Sequence, residues 1–173
     1  MCFSLIQIAI PSSVTKIGNY AFNGYSSLIE ITIPQSVTSI GENAFNGCST
    51  LTQITIPSSV TLIGNYAFYN CKSLTQTTFE IPSSVTSIGN DAFCRCSSLT
   101  HITIPSSITK IGNYAFSYRI SLMKITIPSS ITSIGKDLFS GCSSLTQITF
   151  EIPSSVTKIG KGSFNGYCLI YLF

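Results

Sequence analysis

The sequence predicts an α/β-type solenoid, in which short coils of one kind stack around a continuous core. Three observations predict it: the prolines, the glycines and the phenylalanines each recur along the chain with the same spacing. The prolines are Pro11, Pro34, Pro57, Pro82, Pro105, Pro128 and Pro153. Their successive spacings are 23, 23, 25, 23, 23 and 25 residues. Self-similarity at such a period is the signature of repeat architectures, in which each unit buries its apolar side only against its neighbours.

The repeats divide the chain, residues 1–173, as a single domain of seven units and a partial eighth. The units are 5–27, 28–50, 51–73, 74–98, 99–121, 122–144 and 145–169, followed by 170–173. A longer period of 71 residues separates Pro11 from Pro82 and Pro82 from Pro153. This period indicates that a three-repeat block was duplicated.

Each unit begins with a predicted strand. In unit 28–50, Ile31-Thr32-Ile33 alternates as a half-buried strand does, and Pro34 ends it by removing a backbone donor. We therefore predict one parallel sheet from strands Leu5–Ile10, Ile29–Ile33, Thr52–Ile56, Thr75–Ile81, Thr100–Ile104, Met123–Ile127 and Thr146–Ile152.

The second half of each unit is predicted to turn back toward the core. Gly41 indicates a special backbone geometry or a close approach between chain segments. Ala44, Phe45 and Cys48 have the spacing of an inward-facing helical turn. We therefore expect short helical turns or loops on the side opposite the sheet, with buried phenylalanines stacked from coil to coil, among them Phe45, Phe68, Phe93 and Phe116.

Composition narrows the function classes. Charged residues make up 9% of the chain, the formal net charge is +3, and the basic residues form no run, which disfavours nucleic acid as a partner. No segment approaches the roughly 20 apolar residues of a membrane span. One histidine and six scattered acidic residues offer no catalytic, phosphate-binding or metal-binding constellation, so we expect neither enzymatic activity nor a cofactor.

The repeat L-x-x-I-T-I-P-S-S-V-T-x-I-G-x-x-A-F-x-x-C-S-S resembles the BspA-like, or Treponema-type, class of leucine-rich repeats. The resemblance covers the chain from Leu5 to about Leu169. It implies a right-handed superhelix with the parallel sheet on the concave side. It also implies a place at the cell surface and adhesion to extracellular matrix proteins or host cell-surface proteins.

Outward-facing columns of the predicted sheet are the candidate ligand surface. The mid-strand column starts with Gln7 and continues through Glu30, Gln53, Gln76, His101, Lys124 and Gln147, and we propose the last six as ligand-binding. Two residues later the column reads Ala9, Thr32, Thr55, Thr78, Thr103, Thr126 and Thr149. The polar pattern equally fits a solvated sheet face whose threonines favour strands. Specialisation is expected at Glu30, His101 and Lys124, where the Gln pattern breaks.

Three further features receive structural interpretations. The serine column Ser13, Ser36, Ser59, Ser84, Ser107, Ser130 and Ser155 is expected to bond backbone groups at the bend. One inward column is occupied by Cys48, Cys71, Cys96 and Cys142, which are expected to be buried free thiols. Tyr25, Arg119 and Tyr167 occupy the same column in the other repeats. The segments Phe79-Glu80-Ile81 and Phe150-Glu151-Ile152 each contain two inserted residues, and their apolar residues are expected to point inward and their glutamates outward. The insertions are interpreted as an extended or bulged strand, and the alternative is that the two glutamates form a paired acidic contact on the ligand face.

Two functions therefore compete. The first is a non-catalytic protein-binding module, an adhesin-like protein at the cell surface. The second is an intracellular, cytoplasmic leucine-rich repeat scaffold or regulatory subunit. Free cysteines, the missing Asn-x-Ser/Thr sequon and the missing signal peptide favour the second, although the chain could also be a fragment. The apolar tail 167–173 could plug the last coil or pair end to end with another copy.

Overall fold

The computed structural model describes residues 5–75, 79–145 and 152–166, apart from the side chain of Lys124. Thirteen strands lie in these residues. They are β1 (Gln7–Ala9), β2 (Lys16–Ile17), β3 (Glu30–Thr32), β4 (Ser39–Ile40), β5 (Gln53–Ile54), β6 (Leu62–Ile63), β7 (Phe79–Glu80), β8 (Ser87–Ile88), β9 (His101–Thr103), β10 (Lys110–Ile111), β11 (Lys124–Thr126), β12 (Ser133–Ile134) and β13 (Lys158–Ile159).

The strands that precede the prolines pair in parallel, as predicted. They form two three-stranded groups, one in the order β1-β3-β5 and the other in the order β11-β9-β7. Neighbours are offset by one repeat, so that Gln7 lies opposite Glu30 and His101 lies opposite Lys124. The predicted strand Thr146–Ile152 falls, except for its last residue, outside the described residues.

A second set of strands follows the prolines, which the sequence analysis missed. Its five-stranded sheet has the order β10-β8-β6-β4-β2, and β12 pairs with β13. Each strand has two residues, such as Ser39-Ile40, and pairs in parallel with the next coil. Two residues are too few to show the alternation by which a strand is recognised in a sequence.

The helical turns expected after the glycines are absent from the described residues, where no helix occurs. The segment carries two residues with left-handed backbone in each coil, such as Asn43 (φ 53°) and Gly47 (φ 75°). Because left-handed residues interrupt an α-helix, backbone groups bond to the next coil instead. The N–H of Phe45, for example, donates to the carbonyl of Ala67 at 2.8 Å. The prediction of a helical turn was therefore wrong, and that of a loop was correct.

The core is one continuous cluster, and a column of stacked phenylalanine rings runs through it, as predicted. Ring centroids from Phe22 through Phe45 and Phe68 to Phe93 are 5.3 Å apart. From Phe93 onward the spacing widens to 5.9 Å and 6.0 Å, the latter between Phe116 and Phe139. The phenylalanine rings are therefore stacked more closely in the first half of the array.

The recurring glycines allow the coils to approach this closely. A Cβ built on Gly89 would lie 2.5 Å from the backbone nitrogen of Asn65 in the preceding coil. Its φ lies outside the left-handed region, so close approach, and not an unusual backbone conformation, requires a glycine there. Beside it, the Oδ1 atom of Asn65 accepts a hydrogen bond of 2.8 Å from the N–H of Asn90.

Candidate protein-binding surface

The outward side chains of the strands before the prolines form a polar surface, which we call the strand face. Inward residues such as Ile31 and Ile102 are buried, whereas their strand neighbours are exposed. The exposed members in the described residues are Gln7, Ala9, Glu30, Thr32, Gln53, Thr55, Glu80, His101, Thr103 and Thr126. The alternation predicted from the sequence therefore produces an apolar inner side and a polar outer side.

The structure places the predicted ligand-binding residues in two groups. Glu30 lies between Gln7 and Gln53 in the first group of strands, and Gln7 Nε2 donates to Glu30 Oε2 at 3.3 Å. His101 and Lys124 are paired in the second group. The two other predicted members, Gln76 and Gln147, lie outside the described residues.

His101 is the exposed side chain at which the second group departs most clearly from a column of glutamines. Its Nδ1 atom lies 3.0 Å from the hydroxyl of Thr100, the preceding residue. This contact fixes one ring nitrogen and leaves the Nε2 edge of the imidazole directed away from it. A neutral or protonated imidazole can therefore offer a polar contact on the strand face.

Glu80 enters the strand face at a position that the sequence analysis gave to a threonine. The register pairs Phe79 with Ile102 and Glu80 with Thr103, whereas Thr78, expected opposite Thr103, lies outside the described residues. The expectation for the first insertion is confirmed, because Phe79 is buried and Glu80 is exposed. Phe150 and Glu151 of the second insertion lie outside the described residues. Glu80 and Thr103 each lie two residues before the proline of their coil, so alignment on the prolines gives the observed pair. Alignment on the leucines at the start of each unit gives Thr78 instead.

The register brings three chemically different groups close together on the second group of strands. Glu80 lies diagonally from His101, and His101 lies directly opposite Lys124. Direct neighbours on one face of a sheet are near enough to share a ligand, and diagonal neighbours are within reach of long side chains. This part of the strand face therefore offers an acid, an imidazole and a lysine position within three adjacent coils.

The serine column has the structural role predicted for it. From Ser36 onward each hydroxyl of the column donates to a backbone carbonyl of the preceding coil, as Ser59 does to Val37 at 2.5 Å and Ser107 to Val85 at 2.8 Å. These contacts satisfy acceptors at the bend after the proline. Such hydroxyls are engaged in the scaffold and do not form part of the candidate surface.

The thiol column is also structural. Cys48, Cys71, Cys96 and Cys142 are buried, and each thiol contacts the phenylalanine carbonyl of the preceding coil at 3.0–3.1 Å. Burial raises the pKa of Cys48 from 9.0 to about 12 and that of Cys96 to about 11. The thiols of Cys48 and Cys96 are therefore protonated at neutral pH and are poor nucleophiles.

Arg119 occupies this thiol column in the fifth coil and is fully buried, as its inward position predicted. Its Nη2 atom donates to the carbonyl of Leu99 at 3.4 Å, whereas Nε and Nη1 have no hydrogen-bond partner. Its guanidinium carbon lies 5.7 Å from the centroid of the Phe116 ring. Burial lowers the pKa of this guanidinium, because the core disfavours its charge.

On the side opposite the strand face, tyrosines recur at one left-handed position of the turn segment. Tyr20 and Tyr66 are exposed, and the carboxyl of Asp91 raises the pKa of Tyr66. The ammonium of Lys136 lies 5.5 Å from the centroid of the Tyr114 ring. This side therefore carries aromatic and charged groups that differ from the glutamines and threonines of the strand face.

Neither metal-binding clusters nor membrane-spanning helices occur in the described parts of the chain. No group of three or more His, Cys, Asp or Glu side chains there is placed to hold a metal ion. Within the same residues, no helix is long and apolar enough to cross a membrane. The chemistry that remains on the strand face is hydrogen bonding and charge pairing, which suits recognition of another molecule.

The comparisons with known proteins agree with this architecture. Residues 1–80 and 73–172 match the sequence profile described as BspA type leucine rich repeat region, in six copies. No curated protein sequence matches the chain.

Several solved structures resemble the chain. The leucine-rich repeat protein of T. pallidum is 32% identical with a TM-score of 0.87, over 94% of this chain and 77% of that one. A leucine-rich repeat protein from Bacteroides ovatus is 32% identical with a TM-score of 0.83, over 93% and 49%. A leucine rich cell surface protein from Faecalibacterium prausnitzii is 32% identical with a TM-score of 0.59, over 95% and 52%. The chain spans about half the length of the last two proteins.

Proposed function

Because the chain belongs to the BspA type leucine-rich repeat family, which generally provides protein-interaction modules, we propose that it is a non-catalytic module whose strand face binds a protein ligand. The observation that carries this proposal is the place of the departures from the column rule. Residues needed for stacking recur in every coil, whereas residues needed for a ligand have no reason to recur. On the strand face the departures are Glu30, Glu80, His101 and Lys124.

The ligand is proposed to dock across the second group of strands, centred on His101 and Lys124. Glu80 adds an acidic contact at one side of this centre, opposite Thr103. Gln53 and the predicted members Gln76 and Gln147 would supply hydrogen bonds at the margins. Charged and aromatic contacts at the centre of an interface contribute most of its affinity, and neutral polar neighbours mainly exclude water.

An adhesin-like role at the cell surface is the finer form of this proposal. It is supported by the family and by the similarity to a protein described as a leucine rich cell surface protein. The ligand would then be an extracellular matrix protein or a host cell-surface protein. The winding would be right-handed, with the strand face concave, as the sequence resemblance implies.

An intracellular scaffold or regulatory subunit is the second candidate. It is favoured by the buried free thiols of Cys48, Cys71, Cys94 and Cys96. Labelling intact cells with an impermeant reagent separates the two candidates. Labelled protein supports the surface role, and protein labelled only after lysis supports the scaffold.

The binding test uses a ligand captured by pull-down with this chain as bait. His101→Gln combined with Lys124→Gln restores the ordinary residue of the column, and we expect binding to weaken by about tenfold or more, measured by surface plasmon resonance. The free energy of unfolding should stay within about 0.5 kcal/mol, because His101 is exposed and position 124 is predicted to face outward.

A matched control changes the opposite side of the coils. The variant with Tyr20, Tyr66 and Tyr114 replaced by Asn, which occupies the same position at Asn43, should bind the ligand like the parent chain. If this control loses binding while the strand-face variant retains it, the strand face is not the binding surface.

A further inference from the structure

A second surface lies at the corner where the turn segment leads into the next strand. Two outward columns run along it, and both are small in most coils. The first reads Gly24, Gly47, Asn70, Arg95, Tyr118, Gly141 and Gly166, and the second reads Ser26, Ser49, Lys72, Ser97, Ile120 and Ser143. Members of the first column lie next to one another in the structure. The N–H groups of Gly47, Arg95 and Tyr118 each donate to a backbone carbonyl at the same position of the next coil.

The departures from these columns occur in three consecutive coils. Lys72, Arg95, Tyr118 and Ile120 replace serine or glycine there, and all four are exposed. Tyr118 is 50% exposed and Ile120 is 54% exposed, so both offer apolar area to solvent. We call these four residues the corner patch.

Two members of the corner patch are held in a backbone conformation that suits glycine. Arg95 has φ 61° and Tyr118 has φ 53°, whereas the same position is glycine in Gly47 and Gly141. A side chain in the left-handed region costs on the order of 1 kcal/mol. Glycine would relieve the strain at these two positions, so the turn itself does not require the side chains of Arg95 and Tyr118.

The geometry of the patch combines a cation with an aromatic surface. The guanidinium carbon of Arg95 lies 5.4 Å from the centroid of the Tyr118 ring. On its other side the ring lies over Gly141, where an added Cβ would come within 2.8 Å of Tyr118 Cδ1. Arg95 and Gly141 therefore hold the ring in place and leave half of the side chain open to solvent.

We propose that the corner patch binds an extended acidic segment of a partner protein that also carries an apolar anchor side chain. Arg95 and Lys72 are exposed cations without an ion-pair partner in the described part of the chain, so they complement carboxylates. Tyr118 and Ile120 offer apolar area for the anchor. Lys72 and Ile120 are two coils apart, roughly 10 Å, which about three extended residues span.

This surface is distinct from the strand face and does not depend on it. The test is fluorescence anisotropy with a labelled peptide in which Asp alternates with Phe, against a matched peptide with Lys in place of Asp. We expect the acidic peptide to bind, the basic peptide to bind at least about tenfold more weakly, and the affinity to fall with added salt.

Variants that restore the column residues test the assignment without disturbing the fold. Tyr118→Gly with Ile120→Ser should weaken the acidic peptide by about tenfold or more, and Arg95→Gly should weaken it by about threefold or more. Asn70→Gly, at the same left-handed position one coil earlier, is the matched control and should bind like the parent. His101→Gln with Lys124→Gln should also bind like the parent.

The outcomes separate this proposal from its alternatives and from the proposed function. Equal binding of both peptides, no binding of the acidic peptide, or unchanged binding by the corner variants would each overturn it. Binding to vesicles of anionic phospholipid that these variants abolish, without peptide binding, would assign the patch to a membrane surface instead. Loss of peptide binding only in the strand-face variant would transfer the peptide to the strand face.

Discussion

The buried thiols show how one position serves every coil. A cysteine is small enough to fill the space behind the phenylalanine ring, and its S–H can donate to a carbonyl of the coil before it. Sequence analysis could predict this role because the residue recurs. Arg119 fills the same space with a charged group, and only the structure shows that two of its nitrogens lack partners.

These thiols predict that the protein becomes less stable in alkali. In the unfolded chain a thiol loses its proton near pH 9.0, whereas Cys48 in the folded chain keeps it up to about pH 12. The contribution of such a thiol to the free energy of unfolding is therefore fully present below pH 9.0. It is lost as the pH rises toward 12, by up to about 1.4 kcal/mol per pH unit for each thiol.

The measurement is a series of urea titrations between about pH 8.5 and 10.5, the range in which an unfolded thiol ionises and the folded Cys48 does not. Cys48→Ala should lose stability less steeply with pH than the parent chain. Tyrosines and lysines titrate equally in both proteins, so the comparison isolates the thiol. Parallel slopes would show that Cys48 ionises in the folded state as it does in the unfolded state.

Among the elements, the strand before each proline was predictable, and the rest of the coil was predictable only in part. The strand has enough alternating residues to show its period. The turn segment was misread as helical because Ala44, Phe45 and Cys48 share an inward side in either conformation. Residues with left-handed backbone, such as Asn43 and Tyr66, make this segment a loop and not a helix. Unlike glycine, asparagine and tyrosine do not indicate a left-handed conformation in a sequence.

The close stacking of the coils predicts that the glycines are not equivalent. In Gly89→Ala the added Cβ would meet backbone atoms of Gly64 and Asn65 at 2.5 Å, so the coils must separate. We expect this variant to lose about 1–3 kcal/mol or more in the free energy of unfolding.

Gly18 is the internal control for this prediction, because it belongs to the same column but meets nothing within 4 Å. Gly18→Ala should stay within about 0.5 kcal/mol of the parent in the same urea titration. Similar losses in both variants would mean that the column requires glycine for a reason other than close approach.

At the scale of the whole molecule, periodicity predicted the array, but the exceptions that distinguish one coil from another needed the structure. Because of the two-residue insertion, Glu80 and not Thr78 lies opposite Thr103. The sequence pattern had predicted Thr78 at this position. The exposed Tyr118 and Ile120 were not predicted as part of a surface, because they lie outside the strands of the predicted sheet. Glu30, His101 and Lys124 could be singled out from the sequence as departures from their column, and their role in binding stays a prediction.

The array is also expected to be less stable beyond its fourth coil. The phenylalanine spacing widens after Phe93, and the fifth coil buries the unsatisfied guanidinium of Arg119. An uncompensated buried charge is strongly destabilising, and replacing a buried charge by a packed neutral residue often stabilises by about 1–4 kcal/mol. Arg119→Cys, which restores the column, should therefore stabilise the later coils.

Amide hydrogen exchange measures this difference coil by coil. The N–H groups of Phe116 and Phe139, which donate to the next coil, should exchange at least about tenfold faster than those of Phe45 and Phe68, a difference of about 1.4 kcal/mol. Arg119→Cys should reduce the difference, whereas Lys72→Ser, which removes an exposed cation, should not. Uniform protection along the parent chain would contradict the expectation.

The widening of the phenylalanine column also has a mechanical consequence. A solenoid pulled along its chain yields coil by coil, and the interface with the least contact separates first. Here the coils after Phe93, where the rings are farther apart and Arg119 is buried with two unpartnered nitrogens, would unwind before the coils with the closer ring stack. Each coil of 23 residues released in this way would lengthen the molecule by roughly 80 Å, the reach of an extended chain of that length. The protein would thus behave as a stiff segment joined to an extensible one.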